Sequence, residues 1–289
     1  MNNRIRWFGP NDAANYFGGK ASVEYYNKEC MARREKYNHK NENKYSNVIE
    51  DLNVKGYSVL KQVFDKDKLL KLRQEAEHCI STGENVKRRD DYHAVVDDPF
   101  LNCPTAVDIA FDDLLVDIAT EYFDCTPGIG TFNLRESYPN DLPETGTLLF
   151  HCDKNSPVKF IKFFFYLRDV KIDGGPFTYV EGSPNQKFNG WLNKYRWNLD
   201  EMEAIYGPNR VKYLTAEVGD VIVARTTGFH RGTKVEKDPR LMYTVNWLVH
   251  PELAGGQPQS IEKRFKMKQE DYNNLPDSKK PLTDFLVKV

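Results

Sequence analysis

Apolar residues recur along this chain with two different periods. Between residues 65 and 80, leucines recur at helical spacing behind Asp65, which can cap a helix, and residues 111 to 124 repeat this amphipathic pattern. Residues 55 to 64, just before the first helix, have the pattern of a short strand. After Gly128, short β-branched and aromatic runs alternate with Gly, Pro, Asn and Asp, which is typical of strands joined by turns.

The second half of the chain contains several of these short apolar runs. Many short strands at such density favour a jelly roll, in which two antiparallel sheets pack face to face. The expected strands are residues 129 to 136, 145 to 152, 158 to 168, 176 to 180, 211 to 216, 220 to 225, 230 to 235 and 240 to 248. We therefore predict a mainly β protein with flanking helices, folded as a double-stranded β-helix of the cupin-like, jelly-roll type.

Polarity divides the chain into three parts. Residues 1 to 45 are polar and tyrosine-rich, and we expect them to form an N-terminal extension. The jelly-roll domain is predicted over residues 46 to 250, with a helical insertion at about residues 185 to 210. Aromatic residues in this insertion could cover a hydrophobic or planar molecule, or could serve packing alone. Residues 251 to 289 are polar and lysine-rich, which indicates a C-terminal tail packed on the domain.

Composition and charge exclude several classes of partner. A chain of 289 residues with 40% hydrophobic content can bury a sizeable core, and its net charge of −1 gives no basic field for nucleic acid. No segment has the apolar length of a membrane span, and the opening residues lack the apolar core of a secretion signal. The five cysteines are scattered without a C-x-x-C pair, which favours a reducing, cytoplasmic location. The oligomeric state stays open.

Candidate chemistry begins with His151 and Asp153, which stand one residue apart at the end of an expected strand. Alternate strand residues share a face, so both side chains should point the same way, with Cys152 on the opposite, packed face. His230 lies where one expected strand gives way to the next, and a jelly roll can bring it opposite this pair. Two imidazoles and one carboxylate can form the facial triad that binds ferrous iron and leaves coordination positions open. Arg240, at the start of the following strand, suits a bidentate grip on a carboxylate.

Together these motifs resemble the phytanoyl-CoA dioxygenase-like family of Fe(II)- and 2-oxoglutarate-dependent oxygenases. The resemblance covers roughly residues 50 to 250 and rests on FHCD, KFFFYLRDVKIDGGPFTYVEGSP and GDVIVARTTGFHRGT with the trailing Arg240, in the family's order. This chain has Pro184 and Asn185 where the family usually has a histidine, and the insertion that follows is unfamiliar. Both departures lie where substrates are expected, so the resemblance does not specify the substrate.

The resemblance implies three iron ligands and four side chains that bind the cosubstrate. The ligands would be His151, Asp153 and His230; the distal carboxylate of 2-oxoglutarate would bind Arg240, and Asn133, Thr233 and Lys162 would help to seat this cosubstrate. It also implies use of O2, release of succinate and CO2, and hydroxylation or another oxidation at an unactivated C–H bond of a small organic substrate.

Two other functions use the same residues. A non-catalytic, cupin-like metal- or ligand-binding module would keep the fold and perform no oxidation. A zinc hydrolase would use the three ligands but needs a general base beside the metal-bound water and has no use for Arg240. Arg231 could bind a substrate carboxylate, although as the residue after His230 on a strand it should face away from the metal.

Overall fold

The computed structural model describes residues 5–7, 19–37, 42–89, 92–153, 159–191, 193–249 and 265–289. Its helices are α1 (Gly19–Lys36), α2 (Ser46–Val54), α3 (Lys66–Thr82), α4 (Pro99–Asn102), α5 (Pro104–Ala110), α6 (Asp113–Phe123), α7 (Leu199–Tyr206) and α8 (Gln269–Asn274). Its strands are β1 (Ile5–Trp7), β2 (Tyr57–Leu60), β3 (Val86–Arg89), β4 (His93–Val96), β5 (Gly128–Ser137), β6 (Phe160–Tyr166), β7 (Phe177–Val180), β8 (Gln186–Phe188), β9 (Val211–Leu214), β10 (Val221–Ala224), β11 (His230–Gly232), β12 (Arg240–Leu248), β13 (Lys266–Met267) and β14 (Val287–Lys288).

Two antiparallel sheets form the centre of the fold. The larger has seven strands in the order β2-β10-β6-β12-β5-β4-β3, and the smaller has three in the order β11-β7-β9. Apolar residues of β6, β10 and β12 on one side and of β7 and β9 on the other form a common cluster, which includes Phe164, Phe177 and Leu214. The prediction of a mainly β jelly roll with flanking helices is confirmed.

Alternation along β12 gives the large sheet two different faces. Leu241, Tyr243, Val245 and Trp247 are fully buried and pack with the helices in the main core. The intervening side chains, beginning with Arg240, lie on the opposite face, which we call the inner face because it is turned toward the small sheet. Polar residues that would be costly in the helical core can therefore occupy the space between the sheets.

Helix α3 follows the sequence prediction closely. The side chain of Asp65 caps it by accepting hydrogen bonds from the backbone amides of Asp67 and Lys68, and Gly83 ends it in the left-handed conformation at a φ of 74°. Leu69 and Leu72 are fully buried against the outer face of the large sheet. The hairpin β3–β4 and the short helices α4 and α5, which the sequence did not predict, join α3 to α6.

The strand predicted over residues 145 to 152 is wrong. Residues Gly146–Leu148 form a 3-10 turn, and beyond it only isolated bridges form, from Phe150 to Trp197 and from His151 to His230. Gly146 has a φ of 56°, which breaks the extended run at its start. The apolar pattern of this segment therefore reflects burial and not regular strand pairing.

The helical insertion is shorter than predicted. Among the described residues between 185 and 210, α7 is the only α-helix, and it begins at a reciprocal capping box between Asn198 and Glu201. Trp191 and Tyr206 are buried in an aromatic cluster, whereas Tyr195 is 69% exposed. Packing therefore accounts for the presence of Trp191 and Tyr206 in this segment.

Residues from both ends of the chain contact the large sheet or each other. Arg33 on α1 donates to Asp284 Oδ2 at 3.1 Å, and Phe285 packs on Phe160 and Leu248 at one end of the inner face. None of the described helices is long and apolar enough to cross a membrane.

The division of the chain into an extension, a domain and a tail stays a prediction. Residues 251 to 264 of the predicted tail lie outside the described residues.

Candidate metal centre

The centre is formed where the segment after the 3-10 turn meets β11. His151 and His230 bridge these two segments through a reciprocal pair of backbone hydrogen bonds, each 2.9 Å long. The amide of Asp153 donates to the carbonyl of Thr226 at 2.8 Å, which fixes the chain after His151. The sequence thus brings two distant segments into register and presents three candidate ligands from them.

The three side chains converge on one point. Asp153 Oδ1 lies 3.8 Å from His151 Nε2, and Asp153 Oδ2 lies 3.8 Å from His230 Nε2. One ligand atom from each residue lies within 4.8 Å of the others, so the group could hold a metal ion. Each imidazole Nδ1 lies 2.9 Å from a backbone carbonyl, of Leu149 or Gly228. A carbonyl oxygen can only accept a hydrogen bond, so each Nδ1 carries the proton and donates it, and each Nε2 is left as the ligand atom.

Electrostatics hold these groups in the states that a metal requires. The pKa of His230 is lowered to about 3, first by burial and then by the adjacent imidazole of His151. Burial also lowers the pKa of His151. Burial alone would raise the pKa of Asp153, but the Lys162 ammonium and the two imidazoles outweigh it and hold that pKa well below its usual range. Neutral imidazoles and an ionised carboxylate are the forms that coordinate a divalent cation.

Lys162 contacts the centre directly. It lies on the inner face of β6, and its Nζ donates to Asp153 Oδ2 at 2.5 Å. The ammonium supplies the positive charge that a metal ion would otherwise bring to this carboxylate. A bond to one carboxylate oxygen also limits how the carboxylate can turn, which is the usual contribution of groups around a ligand.

Arg240 lies on the same inner face, in a different environment. It is only 2% exposed, and its hydrogen bonds are long ones of 3.4 Å, to the carbonyl of Thr233 and to Ser137 Oγ. Its Nε has no hydrogen-bond partner, and no carboxylate of the described residues forms an ion pair with it. Burial lowers the pKa of this guanidinium, because the charge is desolvated without a counter-charge. A buried cation in this condition is suited to an anionic ligand.

A cavity of about 480 Å³ opens beside this arginine. Ser137, Thr147, Thr233 and Arg240 are among the residues that line it, whereas the three candidate metal ligands are not. No aspartate or glutamate of the described residues lines the cavity, so its walls favour an anion.

The other two predicted cosubstrate residues are placed less directly. Thr233 follows β11, and its Oγ1 lies 2.6 Å from Thr178 Oγ1, so the hydroxyl is already engaged. Asn133 is half-buried on the inner face of β5, opposite Thr244 on β12. Asn133 therefore faces the space between the sheets, whereas the Thr233 hydroxyl lies on the side of the small sheet that Thr178 and Arg231 share. No contact among the described residues joins either side chain to the metal centre.

Arg231 faces away from the metal centre, as the strand alternation predicted. Its Nη1 donates to Glu144 Oε2 at 2.8 Å, and its guanidinium lies over the ring of Phe150. Among the described residues, Arg231 has a counter-charge, the Glu144 carboxylate, whereas Arg240 has none.

Sequence reasoning missed Asn246, a buried amide on the inner face of β12. In the cross-strand register it lies between Lys162 on β6 and Thr131 on β5. The strand pattern of RLMYTVNW could have indicated this position. Arg240 and Asn246 are six positions apart, an even number, so their side chains share one face of the strand.

No protein-family model and no curated protein matches this sequence. Several solved structures share its fold. EctD from S. alaskensis with bound Fe is 16% identical with a TM-score of 0.55, over 73% of this chain and 84% of that one. HygX from Streptomyces hygroscopicus, solved with nickel, 2-oxoglutarate and hygromycin B, is 15% identical with a TM-score of 0.52, over 70% and 86%. The carbocyclase SnoK from nogalamycin biosynthesis, described as non-heme and alpha ketoglutarate dependent, is 13% identical with a TM-score of 0.53, over 72% and 85%. At these identities the likeness establishes a common fold.

Proposed function

We propose that this protein is an Fe(II)- and 2-oxoglutarate-dependent dioxygenase that hydroxylates, or otherwise oxidises, an unactivated C–H bond of a small organic substrate and releases succinate and CO2. One observation carries the proposal. A compact His–Asp–His centre lies in the space between the two sheets, and so does a buried arginine that has no counter-charge among the described residues. The centre suits a divalent cation, and the arginine suits a carboxylate.

Each side chain has a distinct part in this proposal. His151, His230 and Asp153 hold Fe(II), which supplies the oxidative chemistry when it is bound together with 2-oxoglutarate and O2. Arg240 binds the distal carboxylate of 2-oxoglutarate, and this anion provides the missing counter-charge. Lys162 keeps its bond to Asp153 and so fixes the orientation of the carboxylate ligand.

Arg240 argues against the two alternative functions. A zinc hydrolase has no use for a buried, unpaired guanidinium, and a metal-binding module without a cosubstrate would gain nothing from it. A buried guanidinium without a counter-charge lowers the stability of the ligand-free protein, because its desolvation is not compensated. The bound 2-oxoglutarate named for HygX and the bound Fe named for EctD support the same pair of cofactors here.

The type of reaction is a finer part of the proposal. Proteins of this fold include the epimerase SnoN and the carbocyclase SnoK, so one arrangement of cofactors serves several outcomes. The triad carboxylate, Asp153, occupies the position that a halide would take in a halogenase-type iron site, which supports hydroxylation or a related desaturation or ring closure. We also propose a cytoplasmic location, supported by the five cysteines, none of which forms a disulfide bond in the described structure.

The experiment uses purified protein, ferrous iron and 2-oxoglutarate under anaerobic conditions. We expect a weak visible charge-transfer band when 2-oxoglutarate is added, and slow succinate formation once O2 is admitted. A substrate screen is then read as stimulated succinate formation, and the mass of the product separates oxygen insertion from dehydrogenation and epimerisation. If iron binds but 2-oxoglutarate produces no spectral change and has no measurable affinity, the proposal is wrong.

A further inference from the structure

Asn246 is buried in a way that the folded chain alone does not explain. It is 2% exposed, and neither its amide nitrogen nor its amide oxygen has a hydrogen-bond partner among the described residues. Buried polar side chains are nearly always hydrogen-bonded, since an unpaired donor or acceptor loses its water without compensation. A carboxamide with both ends unpaired therefore points to a ligand that supplies both partners.

The contrast with Asn185 shows what a satisfied buried asparagine looks like in this protein. Asn185 is 3% exposed, its amide nitrogen donates to the carbonyl of Asn53, and its amide oxygen accepts from Arg225 at 3.3 Å. No described residue makes a comparable contact with the Asn246 amide. The difference lies in position, because Asn246 faces the space between the two sheets.

Asn246 lies beside the metal centre. Its cross-strand neighbours are Lys162 on β6 and Thr131 on β5, and paired residues on one sheet face are in side-chain contact range. Lys162 extends from this position to Asp153, to which its ammonium donates at 2.5 Å. The Asn246 amide is thus adjacent to the lysine that contacts the centre.

The path of the cosubstrate leaves this position free. Arg240, at the start of β12, is about 20 Å from Asn246 along the strand, at roughly 3.3 Å per residue. A 2-oxoglutarate molecule has a chain of only five carbons and is much shorter than this separation, so one held by Arg240 would not extend as far as Asn246. Asn246 therefore lies beyond the reach of a cosubstrate bound to Arg240, on the part of the inner face beside Lys162.

From this arrangement, and resting on the proposed function, we infer that Asn246 binds the organic substrate and that the substrate carries a neutral group that both donates and accepts a hydrogen bond. A carboxamide is the fullest match, because two amides can pair reciprocally, and a hydroxyl is the next. A carboxylate is disfavoured, since it could accept from the amide nitrogen but would place its charge against the amide oxygen and near Asp153. Asn246 is therefore a specificity-determining residue.

The first arm of the test needs no ligand. Asn246→Leu replaces the unpaired amide by an apolar side chain of similar size, so the melting temperature of the metal-free protein should rise by roughly 3 °C. Asn185→Leu is the matched control and should lower the melting temperature, because it leaves Arg225 and the Asn53 carbonyl without their partner. A lower melting temperature for Asn246→Leu means that the amide has a structural role, and overturns the inference.

The second arm uses protein loaded anaerobically with manganese(II) and 2-oxoglutarate, so that no turnover occurs. The probes are primary amides, alcohols, methyl ketones and carboxylates built on a common set of aliphatic and aromatic skeletons, and thermal shift is the readout. Amides and alcohols should stabilise the wild type, and the shift should disappear in Asn246→Leu. If no amide or alcohol binds, if ketones or carboxylates bind as well, or if binding survives the substitution, the inference is overturned.

The affinity for 2-oxoglutarate separates this inference from the proposed function. Asn246→Leu should keep that affinity within about threefold, and a loss of tenfold or more would assign the amide to the cosubstrate instead. Wild-type protein that binds neither manganese nor 2-oxoglutarate would refute the proposed function itself, independently of Asn246.

Discussion

Replacing Arg240 by methionine should make the metal-free protein more stable and its 2-oxoglutarate binding much weaker. The guanidinium is buried, has long hydrogen bonds to Thr233 and Ser137, and has no counter-charge among the described residues. Methionine fills a similar volume without a charge to desolvate. Replacing even a buried ion pair by well-packed apolar residues often gains about 1 to 4 kcal/mol in the free energy of unfolding, and Arg240 lacks the pairing that offsets part of the desolvation. At roughly 2 to 4 °C for each kcal/mol, the melting temperature should rise measurably.

Affinity for 2-oxoglutarate should change in the opposite direction. Removing one partner of a desolvated charge pair costs about 2 to 5 kcal/mol, which corresponds to roughly 30-fold to several thousand-fold in the dissociation constant. Iron affinity should barely change, because Arg240 is not a ligand. The assay is anaerobic titration of 2-oxoglutarate into iron-loaded protein, followed by its visible charge-transfer band, beside thermal unfolding of the metal-free protein.

Arg231→Met is the matched control. This arginine is buried to a similar extent but pairs with Glu144 at 2.8 Å and faces away from the metal centre. Its loss should lower the melting temperature, because Glu144 is left without its partner, and should spare 2-oxoglutarate binding. The reasoning is refuted if Arg240→Met lowers the melting temperature and leaves 2-oxoglutarate affinity intact, since Arg240 would then be a structural residue.

Three further predictions concern the metal ligands, the dependence of stability on pH, and the buried ion pair of Arg168 and Glu136. The Asp153→Ala variant should lose iron, and its succinate formation should fall roughly 100-fold or more. The Cys152→Ala variant should keep its iron and its activity but lose about 1 kcal/mol of stability. Metal analysis, succinate assays and melting curves of both variants test this contrast. The metal-free protein should lose stability as pH falls from about 6.5 toward 3, because His230 stays neutral in the folded state and becomes protonated in the unfolded state. The loss should reach up to about 1.4 kcal/mol per pH unit. Urea unfolding at several pH values should show this dependence of the unfolding free energy on pH, and His230→Gln should reduce it. Arg168→Met should destabilise the protein by on the order of 3 kcal/mol, because it removes the cation bonded to the buried Glu136 carboxylate at 2.5 Å; adding Glu136→Gln should recover part of the loss in melting temperature.

The sequence determined the fold and the set of candidate ligands through local patterns. Strand alternation in RLMYTVNW separates core-facing from inner-face residues, and the same rule predicted that Arg231 faces away from His230. Helix α3 was predictable because its cap, its leucine spacing and its terminal glycine all lie within one short segment. Signals of this kind need no knowledge of what lies elsewhere in the chain.

Only the tertiary structure decided which polar groups have partners. The segment around His151 looked like a strand, yet its contacts are single bridges to Trp197 and His230, which come from distant parts of the chain. Composition does not reveal that Lys162 reaches Asp153. Nor does it reveal that, within the part of the chain that the structure describes, Arg240 lacks a counter-charge and both ends of the Asn246 amide are unpaired. Alternation is a property of neighbouring residues, whereas pairing and burial depend on the register between strands far apart in sequence, and this register forms only when the sheets pack together.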